Sequence, residues 1–443
     1  MYLLYSILSV VLAVVASPYF LYQAVRYKKY VGGLQQRLGY LPVSFNIDAQ
    51  ESLWLHAVSV GEVLTAKALL PELRRLYPRL RIYLSTTTLT GQQVARTNVQ
   101  HVDGIFCFPF DLPFIVRRTL DIVRPRLFVM METEIWPNLL RECRARGIRT
   151  ALVNGRISSR SYPRYRLVRW FFRRALADID VLCVQSEESL RRLLNLGADP
   201  SRLKMTGSLK FDSLDFSVPS PGRGPDRVVR FFRSVDERPV VIAASTLRGE
   251  EDVVLRAFRG LKSLHPRALL IVAPRHPERF DDVTRLVSDE GYTVARRTDL
   301  QIDVPPTSDV VVLDTIGELA RLYQVATVVF VGGSLVDAGG HNILEPAVFG
   351  KPILFGPYMQ NFREIAESFL SRDAAVQVAS GRELVGALER LAGDPVRRAQ
   401  LGAAARALVE ENRGASGRTL DHLVKLLPPQ PASSVVTPFR RVR

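Results

Sequence analysis

Several acidic side chains stand directly after short apolar segments, a position suited to proton transfer. Glu62 ends the motif Ser59-Val-Gly-Glu62 after the first β-like segment, and Glu132 and Glu134 follow the segment Leu127–Met130. Ionised carboxylates are rarely buried without a partner, so we expect these glutamates to face a site where one of them takes a proton from a hydroxyl group. Structural alternatives stay open, because Ser-x-x-Glu is also a helix-capping box and the other two glutamates could pair with nearby arginines.

A hydroxyl-rich turn, Thr86-Thr-Thr-Leu-Thr-Gly91, follows the next apolar segment. Thr88 and Gly91 could contact a sugar acceptor through this turn. They could equally cap the helix that follows, because threonine is a favoured residue at the start of a helix. The sequence leaves both interpretations open.

The second half of the chain carries groups suited to an anionic ligand. Ser245 and Thr246 follow one apolar segment, and Arg275 and His276 follow the next. A guanidinium group binds phosphate through paired hydrogen bonds, so Arg275 is a candidate phosphate ligand.

Two glycine-rich motifs, Gly332-Gly-Ser334 and Gly339–Pro346, precede a predicted helix. Exposed N–H groups such as those of Gly333 and Gly340, together with the helix dipole, favour an anion. We expect Glu345 one turn inside that helix, where it can accept two hydrogen bonds from a ribose diol. An ordinary helix start is the alternative. The chain lacks Gly-x-x-x-x-Gly-Lys-Ser/Thr, which argues against a P-loop nucleotide hydrolase.

These residues lie on an alternation of short β-rich segments and amphipathic helical segments, which is typical of a doubly wound parallel sheet. The alternation stops at a proline- and glycine-rich stretch and then restarts, so we predict two Rossmann-like domains whose strand ends face a cleft. The predicted organisation is a membrane anchor over 1–25, an N-terminal Rossmann-like domain over 26–216, a linker over 217–225, a C-terminal Rossmann-like domain over 226–427 and a disordered tail over 428–443.

Composition indicates a globular protein. The chain has 443 residues, of which 47% are hydrophobic, and its 60 Lys+Arg against 44 Asp+Glu give a net charge of +16. These values exclude a disordered or collagen-like polymer. Cys107, Cys143 and Cys183 stand too far apart for a zinc site or a redox pair, so we expect reduced thiols and no metal site.

The N-terminal segment has no charged side chain before Arg26, and basic residues follow it. About 20 helical residues cross a bilayer, so the segment is long enough to anchor the chain in the inner membrane, and the basic residues after it place the body of the protein in the cytoplasm. The same basic residues would contact an anionic membrane surface. A helix lying in the membrane interface, or a buried first helix of a soluble protein, is the alternative.

An arginine-rich stretch runs from Cys143 to Ala177 with no acidic residue and with aromatic residues interleaved. Arg156 and Arg160 belong to it and are candidate contacts with the acceptor. Without a nucleic-acid-binding signature, the pattern favours phosphorylated lipid over nucleic acid, because arginine grips phosphate and aromatic rings lie at headgroup level. A plain solvated surface remains possible.

Six motifs together are characteristic of one family. They are Trp54-Leu-His-Ala-Val-Ser-Val-Gly-Glu62, Met131-Glu-Thr-Glu-Ile-Trp-Pro-Asn138, Asn154-Gly-Arg-Ile-Ser158, Ala273-Pro-Arg-His-Pro-Glu-Arg279, Gly340-His-Asn-Ile-Leu-Glu-Pro346 and Phe355-Gly-Pro357 with Asn361-Phe-Arg-Glu364. The chain closely resembles the 3-deoxy-D-manno-octulosonic acid (Kdo) transferases of lipopolysaccharide synthesis from the N-terminal segment to about Leu426. It departs from the family pattern at Ser208, Leu247 and Tyr358.

The resemblance implies an inverting glycosyltransferase of the two-domain GT-B fold that moves Kdo from CMP-Kdo onto the lipid A precursor, with no cofactor and no metal. It implies that Glu62 is the catalytic base, that Glu132 and Glu134 line the active site, and that Lys210 reaches the donor phosphate or the sugar carboxylate. We expect the donor to be bound by Ser245, Thr246, Arg275, His276, Gly333, Gly340, Asn342 and Glu345, and the acceptor by Thr88, Gly91, Arg156 and Arg160.

Two other functions stay open at this point. One is a GT-B transferase that uses another nucleotide sugar and another membrane lipid. The other is a membrane-tethered protein that binds anionic lipid or nucleic acid through the arginine-rich stretch, in which case Glu62 would have no role in function.

Overall fold

The computed structural model describes residues 33–159, 161–213, 238–301, 304 and 306–428, together with parts of the segment 2–18. By its internal contacts the chain divides into two compact units. The first comprises Met1–Ser213 and Arg413–Arg443, and the second comprises Leu214–Asn412. The predicted linker 217–225, Arg160 and nearly all of the predicted tail lie outside the described residues.

The described part of the first unit forms a seven-stranded parallel sheet. Its strands are β1 (Ser52–His56), β2 (Arg81–Thr86), β3 (Gly104–Cys107), β4 (Pro125–Met131), β5 (Arg149–Gly155), β6 (Val181–Val184) and β7 (Leu203–Met205). Their order is β3-β2-β1-β4-β5-β6-β7. The order reverses between β1 and β4, and ligands of doubly wound folds bind at the carboxyl ends of the strands at such a reversal.

Helices cover both faces of this sheet. They are α1 (Leu34–Arg37), α2 (Val60–Ala66), α3 (Leu70–Leu76), α4 (Leu89–Asn98), α5 (Pro113–Val123), α6 (Pro137–Ala145), α7 (Tyr162–Leu167), α8 (Arg169–Leu176) and α9 (Glu187–Leu196). Short 3-10 turns occur at Val43–Asn46 and Pro200–Arg202. Successive residues of β1 alternate between two cores, with Leu53 and Leu55 on one face and Trp54 on the other. A sheet buried on both faces explains why its strands are apolar throughout.

The second unit contains another seven-stranded parallel sheet within its described residues. Its strands are β8 (Val240–Thr246), β9 (Leu269–Pro274), β10 (Val294–Arg296), β11 (Val310–Val312), β12 (Val328–Val331), β13 (Ile353–Phe355) and β14 (Val376–Gln377). Their order is β10-β11-β9-β8-β12-β13-β14, so the order reverses between β8 and β12. The prediction of two doubly wound domains is confirmed.

Seven helices in the described part of the second unit accompany this sheet. They are α10 (Glu251–Leu264), α11 (Phe280–Asp289), α12 (Leu319–Leu322), α13 (Leu344–Val348), α14 (Arg363–Ser371), α15 (Gly381–Gly393) and α16 (Pro395–Glu411). Short 3-10 turns occur at Pro277–Arg279, Arg297–Asp299, Tyr323–Val325 and Gln360–Phe362. On one face of the sheet, α10 and α15 pack with β-strand residues such as Val241 and Leu270.

The last helix, α17 (Ala415–Leu426), packs on the first unit, although the sequence pattern assigned residues up to 427 to the second. Leu420 and Leu423 are buried in the core of the first unit. The carboxylate of Asp212 accepts N–H hydrogen bonds from Gly414 (2.8 Å) and Ser416 (2.6 Å) and anchors the start of the helix. An amphipathic helix specifies a buried face but not the sheet that this face covers, so the sequence pattern did not assign α17 to the first unit.

The predicted membrane anchor lies mostly outside the described residues. Residues 5–11 are helical, and the Ser6 hydroxyl contacts the Asn138 side chain in the first unit at 2.9 Å. No helix within the described ranges has the length and apolar character needed to cross a bilayer.

Candidate active site

Glu62 lies in the first turn of α2, directly after β1, at the point where the strand order of the first unit reverses. Its carboxylate accepts hydrogen bonds from the Val58 N–H and the Ser59 hydroxyl, both at 2.9 Å. Ser59 is also the N-cap of α2. Its hydroxyl accepts the Glu62 N–H at 3.5 Å, as in a capping box, whereas the Glu62 carboxylate binds the N–H of the residue before the cap. These contacts hold a nearly buried carboxylate at a strand end.

Glu132 and Glu134 follow β4, the strand paired with β1, so the three glutamates converge. Glu132 has a left-handed backbone with φ 54°, which starts the turn that leads to α6. The Thr133 hydroxyl donates to the backbone carbonyl of Arg156, and the Trp136 indole N–H donates to Glu134 at 3.0 Å. The structure thus brings together the three predicted carboxylates, and it places Arg156 beside their loop.

Burial and mutual repulsion both favour the protonated forms of these carboxyl groups. Burial, and then the charge of Glu132, raise the pKa of Glu62 to about 7, although the bonds from Val58 and Ser59 act in the opposite direction. Burial, and then the charge of Glu62, raise the pKa of Glu134 to about 7. A carboxyl group that titrates near neutral pH is well matched to general-base catalysis.

His56, which ends β1, is a fully buried neighbour of this cluster that the sequence analysis did not identify. Its ring stacks on Phe108, and Nδ1 lies 3.0 Å from the Ser85 hydroxyl. Nε2 lies 3.9 Å from Glu134 Oε2, beyond hydrogen-bond distance. Burial lowers the pKa of the imidazole to about 3, so His56 is neutral and does not offset the negative charge of the cluster.

The second unit gathers a different set of groups. The backbone N–H of Arg275 donates to Thr246 at 3.0 Å, which joins the loops that leave β8 and β9. Burial, and then the nearby Arg275 and His276, lower the pKa of His341 to about 4, and Arg275 also acts on Glu345. Burial raises the pKa of Glu345, whereas the hydrogen bond from the Asn342 side-chain amide and the charge of Arg275 lower it. Four predicted donor ligands, Arg275, His276, Asn342 and Glu345, therefore share one site.

The glycine-rich motifs differ from the prediction. Helix α13 begins at Leu344, so Glu345 lies in its first turn rather than one turn inside, and Gly340 is not at the helix start. The Gly340 N–H donates to the Gly333 carbonyl at 2.7 Å, and the Gly333 N–H donates to Glu250 at 2.7 Å. Neither N–H group is free to bind an anion, because each already has a partner within the protein.

Some of the other side chains predicted to bind donor or acceptor also have partners or positions within the protein fold itself. The Thr88 hydroxyl accepts the Gly91 N–H at 3.0 Å and donates to the Val58 carbonyl at 3.1 Å, so it caps α4. Thr246 is fully buried beside Ser245, which has a left-handed backbone with φ 54°. Lys210 lies in the turn after β7, where the N–H of the preceding Leu209 donates to Asn154 Oδ1 at 3.0 Å, near the end of β5, the strand paired with β4.

The sequence analysis missed two further buried carboxylates. Asp111 accepts the N–H groups of Asn138 (3.0 Å) and Leu139 (2.8 Å) at the start of α6, next to the loop of Glu134. Glu250, at the start of α10, accepts four backbone N–H groups. The partners of Glu250 are backbone groups, which carry no signal in the sequence, and Asp111 adds a hydrogen bond from the distant Tyr5 hydroxyl to its two backbone partners. The only available signal was an acidic residue close to a predicted strand end.

Comparisons with known proteins agree with this geometry. Residues 32–213 match the family described as 3-deoxy-D-manno-octulosonic-acid transferase (kdotransferase). The chain is 34% identical over 408 residues to the 3-deoxy-D-manno-octulosonic acid transferase of Haemophilus influenzae, covering 90% of this chain and 92% of the relative. It is also 34% identical over 383 residues to the transferase of that name from Bordetella pertussis, covering 84% of this chain and 86% of the relative.

The solved structure of MurG from Acinetobacter baumannii shares the fold, with a TM-score of 0.54, 13% identity and coverage of 85% of this chain and 99% of that protein. The long matches to curated relatives span both units, and the residues that converge at the strand ends are those of the recognised motifs. The chain therefore belongs to the 3-deoxy-D-manno-octulosonic acid transferases, a family of glycosyltransferases.

Proposed function

We propose that this transferase moves Kdo from CMP-Kdo onto the lipid A precursor at the cytoplasmic face of the inner membrane, with inversion and without a metal ion. The observation that carries the proposal is the position and the raised pKa, about 7, of Glu62 at the carboxyl end of β1. A base of that strength is half ionised at neutral pH and can take a proton from a sugar hydroxyl.

The reaction is a single displacement. The acceptor hydroxyl oxygen attacks the anomeric carbon of Kdo and forms the new glycosidic bond, while the bond from that carbon to the phosphate oxygen of CMP breaks. The hydroxyl proton passes to Glu62, and CMP leaves with the bonding electrons. An oxocarbenium-like transition state is expected, as in other glycosyl transfers. Glu132 and Glu134 would favour that cationic state through their negative charge.

Arg275 supports the departure of CMP. The phosphate gains negative charge as the bond to the sugar breaks. A fixed guanidinium group can stabilise that charge without a metal ion. Arg275 is exposed in the second unit, near His276 and His341, so its side chain is accessible to a ligand. Asn342 and Glu345, joined by a 3.2 Å hydrogen bond, would contact the nucleoside.

The arginine-rich stretch supports a phosphorylated lipid acceptor. Helix α7 contains Arg164 and Arg166 in its last turn, and α8 contains Arg169, Arg173 and Arg174. The two helices also expose Leu167 (82%) and Trp170 (60%). Large exposed apolar side chains amid arginines suit the boundary between lipid headgroups and acyl chains. We propose that this surface and the N-terminal segment face the membrane, and Arg156 and Arg160 stay candidate ligands of the acceptor phosphates.

The test is to incubate the detergent-solubilised full chain with CMP-Kdo and tetraacylated lipid A precursor in excess EDTA, and to determine the mass of the lipid product. A gain of one or more Kdo units is expected. No gain with folded protein and intact donor would contradict the proposal. Competition by UDP rather than by CMP for the donor site would favour a uridine-sugar donor instead.

A further inference from the structure

Glu250 connects the two loops at the point where the strand order of the second unit reverses. It precedes α10, after β8, and its side chain is fully buried. One carboxylate oxygen accepts the N–H groups of Leu247 (2.9 Å) and Gly333 (2.7 Å). The other accepts those of Ser334 (3.0 Å) and Leu335 (2.9 Å). The carboxylate therefore holds three successive N–H groups of the loop after β12 against the loop after β8.

Three successive backbone N–H groups that converge on one point form an anion-binding concavity, the same device that binds phosphate in many nucleotide sites. Here the concavity already contains an anion that belongs to the protein. Its two oxygens are fully used by four donors, so a donor phosphate has no N–H group left to bind in this turn. A phosphate bound to this unit would therefore need other partners than the N–H groups of Gly333, Ser334 and Leu335.

The glycines of the turn show how closely the parts fit. A Cβ on Gly332 would lie 2.8 Å from the Glu250 carboxylate and 2.7 Å from the Ser245 carbonyl. Gly333 has φ 66°, and a Cβ there would lie 2.9 Å from the His341 ring. The turn is thus packed between the Glu250 carboxylate on one side and His341 on the other.

The turn also positions neighbouring loops. The Gly333 carbonyl accepts the Gly340 N–H at 2.7 Å, and the Ser334 carbonyl accepts the Tyr358 N–H at 2.9 Å. The Ser334 hydroxyl accepts the Gly356 N–H at 2.8 Å. Displacing the turn would therefore move Gly340 and His341, which lie next to Arg275, as well as the loop after β13.

We propose that Glu250 is a positioning residue for nucleotide-sugar binding: it occupies the anion concavity of the Gly333–Leu335 turn, sets the position of His341, and leaves the phosphate of the donor to Arg275. This inference rests on the proposed function, in which the second unit binds CMP-Kdo. Glu250 acts through the turn and does not touch the donor.

The test uses Glu250→Gln in the full chain. Glutamine keeps the shape of the glutamate side chain. Its NH2 group cannot accept hydrogen bonds from the two N–H groups that it faces, so two of the four hydrogen bonds are lost. The KM for CMP-Kdo and the Kd for CMP should rise roughly 10- to 100-fold, because small displacements of a binding site have effects of that size. The kcat should stay within about threefold, and the KM for the lipid acceptor should not change.

Hydrogen exchange supplies a readout that does not depend on activity. In the wild-type protein the amides of residues 333–335 should exchange slowly although they lie in a loop, because all three donate to a buried carboxylate. Glu250→Gln should accelerate their exchange by about tenfold or more. Fast exchange in the wild-type protein would overturn the inference without any variant.

Glu251→Gln is the matched control. Glu251 is 1% exposed and binds the Arg279 guanidinium at 2.5 Å instead of backbone groups. The Glu251→Gln variant should leave exchange at residues 333–335 unchanged.

If Glu250→Gln does not fold, Gly332→Ala displaces the turn while keeping the carboxylate, and it should also raise the KM for CMP-Kdo.

The outcomes separate the two proposals. A wild-type protein that binds no CMP and transfers no Kdo contradicts the proposed function, and with it the donor role of Glu250, whereas the exchange experiment still decides whether Glu250 holds the turn. An active wild-type protein with a folded Glu250→Gln variant of unchanged donor KM contradicts the positioning role alone.

Discussion

At the scale of single residues, the chemistry depends on three neighbouring carboxyl groups whose negative charges repel one another. Glu62 and Glu134 each have a pKa of about 7, and the negative charge of Glu132 contributes to both shifts. Interacting groups of this kind titrate as a set, so a change in one alters the others. The pKa of Glu62 is therefore a property of the three-glutamate cluster, and a change at Glu132 or Glu134 should alter it.

Removing the charge of Glu132 should move the pH dependence of transfer. In the wild-type protein we expect the rate to fall below about pH 7, as Glu62 becomes protonated. Glu132→Gln removes a repelling charge, which lowers the pKa of Glu62, so the acid limb of the kcat profile should move to lower pH. Glu142→Gln removes the same charge from α6, where Glu142 pairs with Arg117 of α5, and it should leave the limb unmoved. An acid limb that stays in place in Glu132→Gln would argue against Glu62 as the titrating base.

The burial of Glu62 makes its ionised carboxylate unfavourable for the stability of the folded protein at high pH. Its pKa is raised on folding from 4.5 to about 7, so the favourable contribution of the protonated form is complete below pH 4.5 and is lost as pH rises through about 7. Glu62→Gln has no such charge. Relative to wild type, its free energy of unfolding should increase by about 1–3 kcal/mol between pH 4.5 and pH 8, as measured by urea denaturation. The exposed Glu72→Gln should show no such increase, and equal pH dependence of wild type and Glu62→Gln would refute the burial argument.

At the scale of elements, Asp111 links the start of α6 to the catalytic loop. Its buried carboxylate caps the helix through the N–H groups of Asn138 and Leu139. Asp111→Ala should lower the free energy of unfolding by about 1–2 kcal/mol and also lower kcat, because α6 follows directly on the loop of Glu134. Asp394→Ala removes the cap of α16, where Asp394 accepts the Arg397 N–H at 2.8 Å, and should reduce stability while sparing kcat. Equal kcat in both variants would show that the α6 cap has no catalytic consequence.

Some features of the site could be read from the sequence because they depend on position along one strand. Glu62 and Glu134 follow segments whose apolar character marks them as buried strands, and strand ends meet at one edge of a parallel sheet. Glu250 could not be recognised in this way. Its partners Gly333 to Leu335 lie 83 to 85 residues away and contribute only backbone N–H groups. The N–H groups of Gly333 and Gly340, which were expected to bind an anion, donate to the Glu250 carboxylate and to the Gly333 carbonyl, and a glycine-rich sequence gives no signal for either partner.

At the scale of the whole molecule, the chain returns to its first unit through α17. The sequence predicted two doubly wound sheets from their rhythm, and the structure confirms them. It did not predict this return, because an amphipathic helix specifies a buried face but not its partner. Leu423 is fully buried in the core of the first unit, although it follows the last residue of the second unit by only eleven positions.

Truncation of that side chain should weaken the first unit specifically. Leu423→Ala removes a buried isobutyl group and should lower the free energy of unfolding by about 2–5 kcal/mol. The three tryptophans, Trp54, Trp136 and Trp170, all belong to the first unit, so tryptophan fluorescence during urea denaturation reports on that unit. Leu401→Ala makes the same change in the core of the second unit and should affect the fluorescence midpoint much less. A larger effect of Leu401→Ala would contradict the assignment of α17.

The most direct test of the central claim compares wild type with Glu62→Gln in transfer of Kdo from CMP-Kdo to tetraacylated lipid A precursor, with donor and acceptor saturating and the lipid product identified by mass. Loss of a general base reduces turnover by about 10²- to 10⁴-fold. We predict a Kdo-bearing product from the wild type, a loss of that size in Glu62→Gln, and unchanged binding of CMP. Product formation by Glu62→Gln at the wild-type rate, or no product from a folded wild-type protein, would contradict the account.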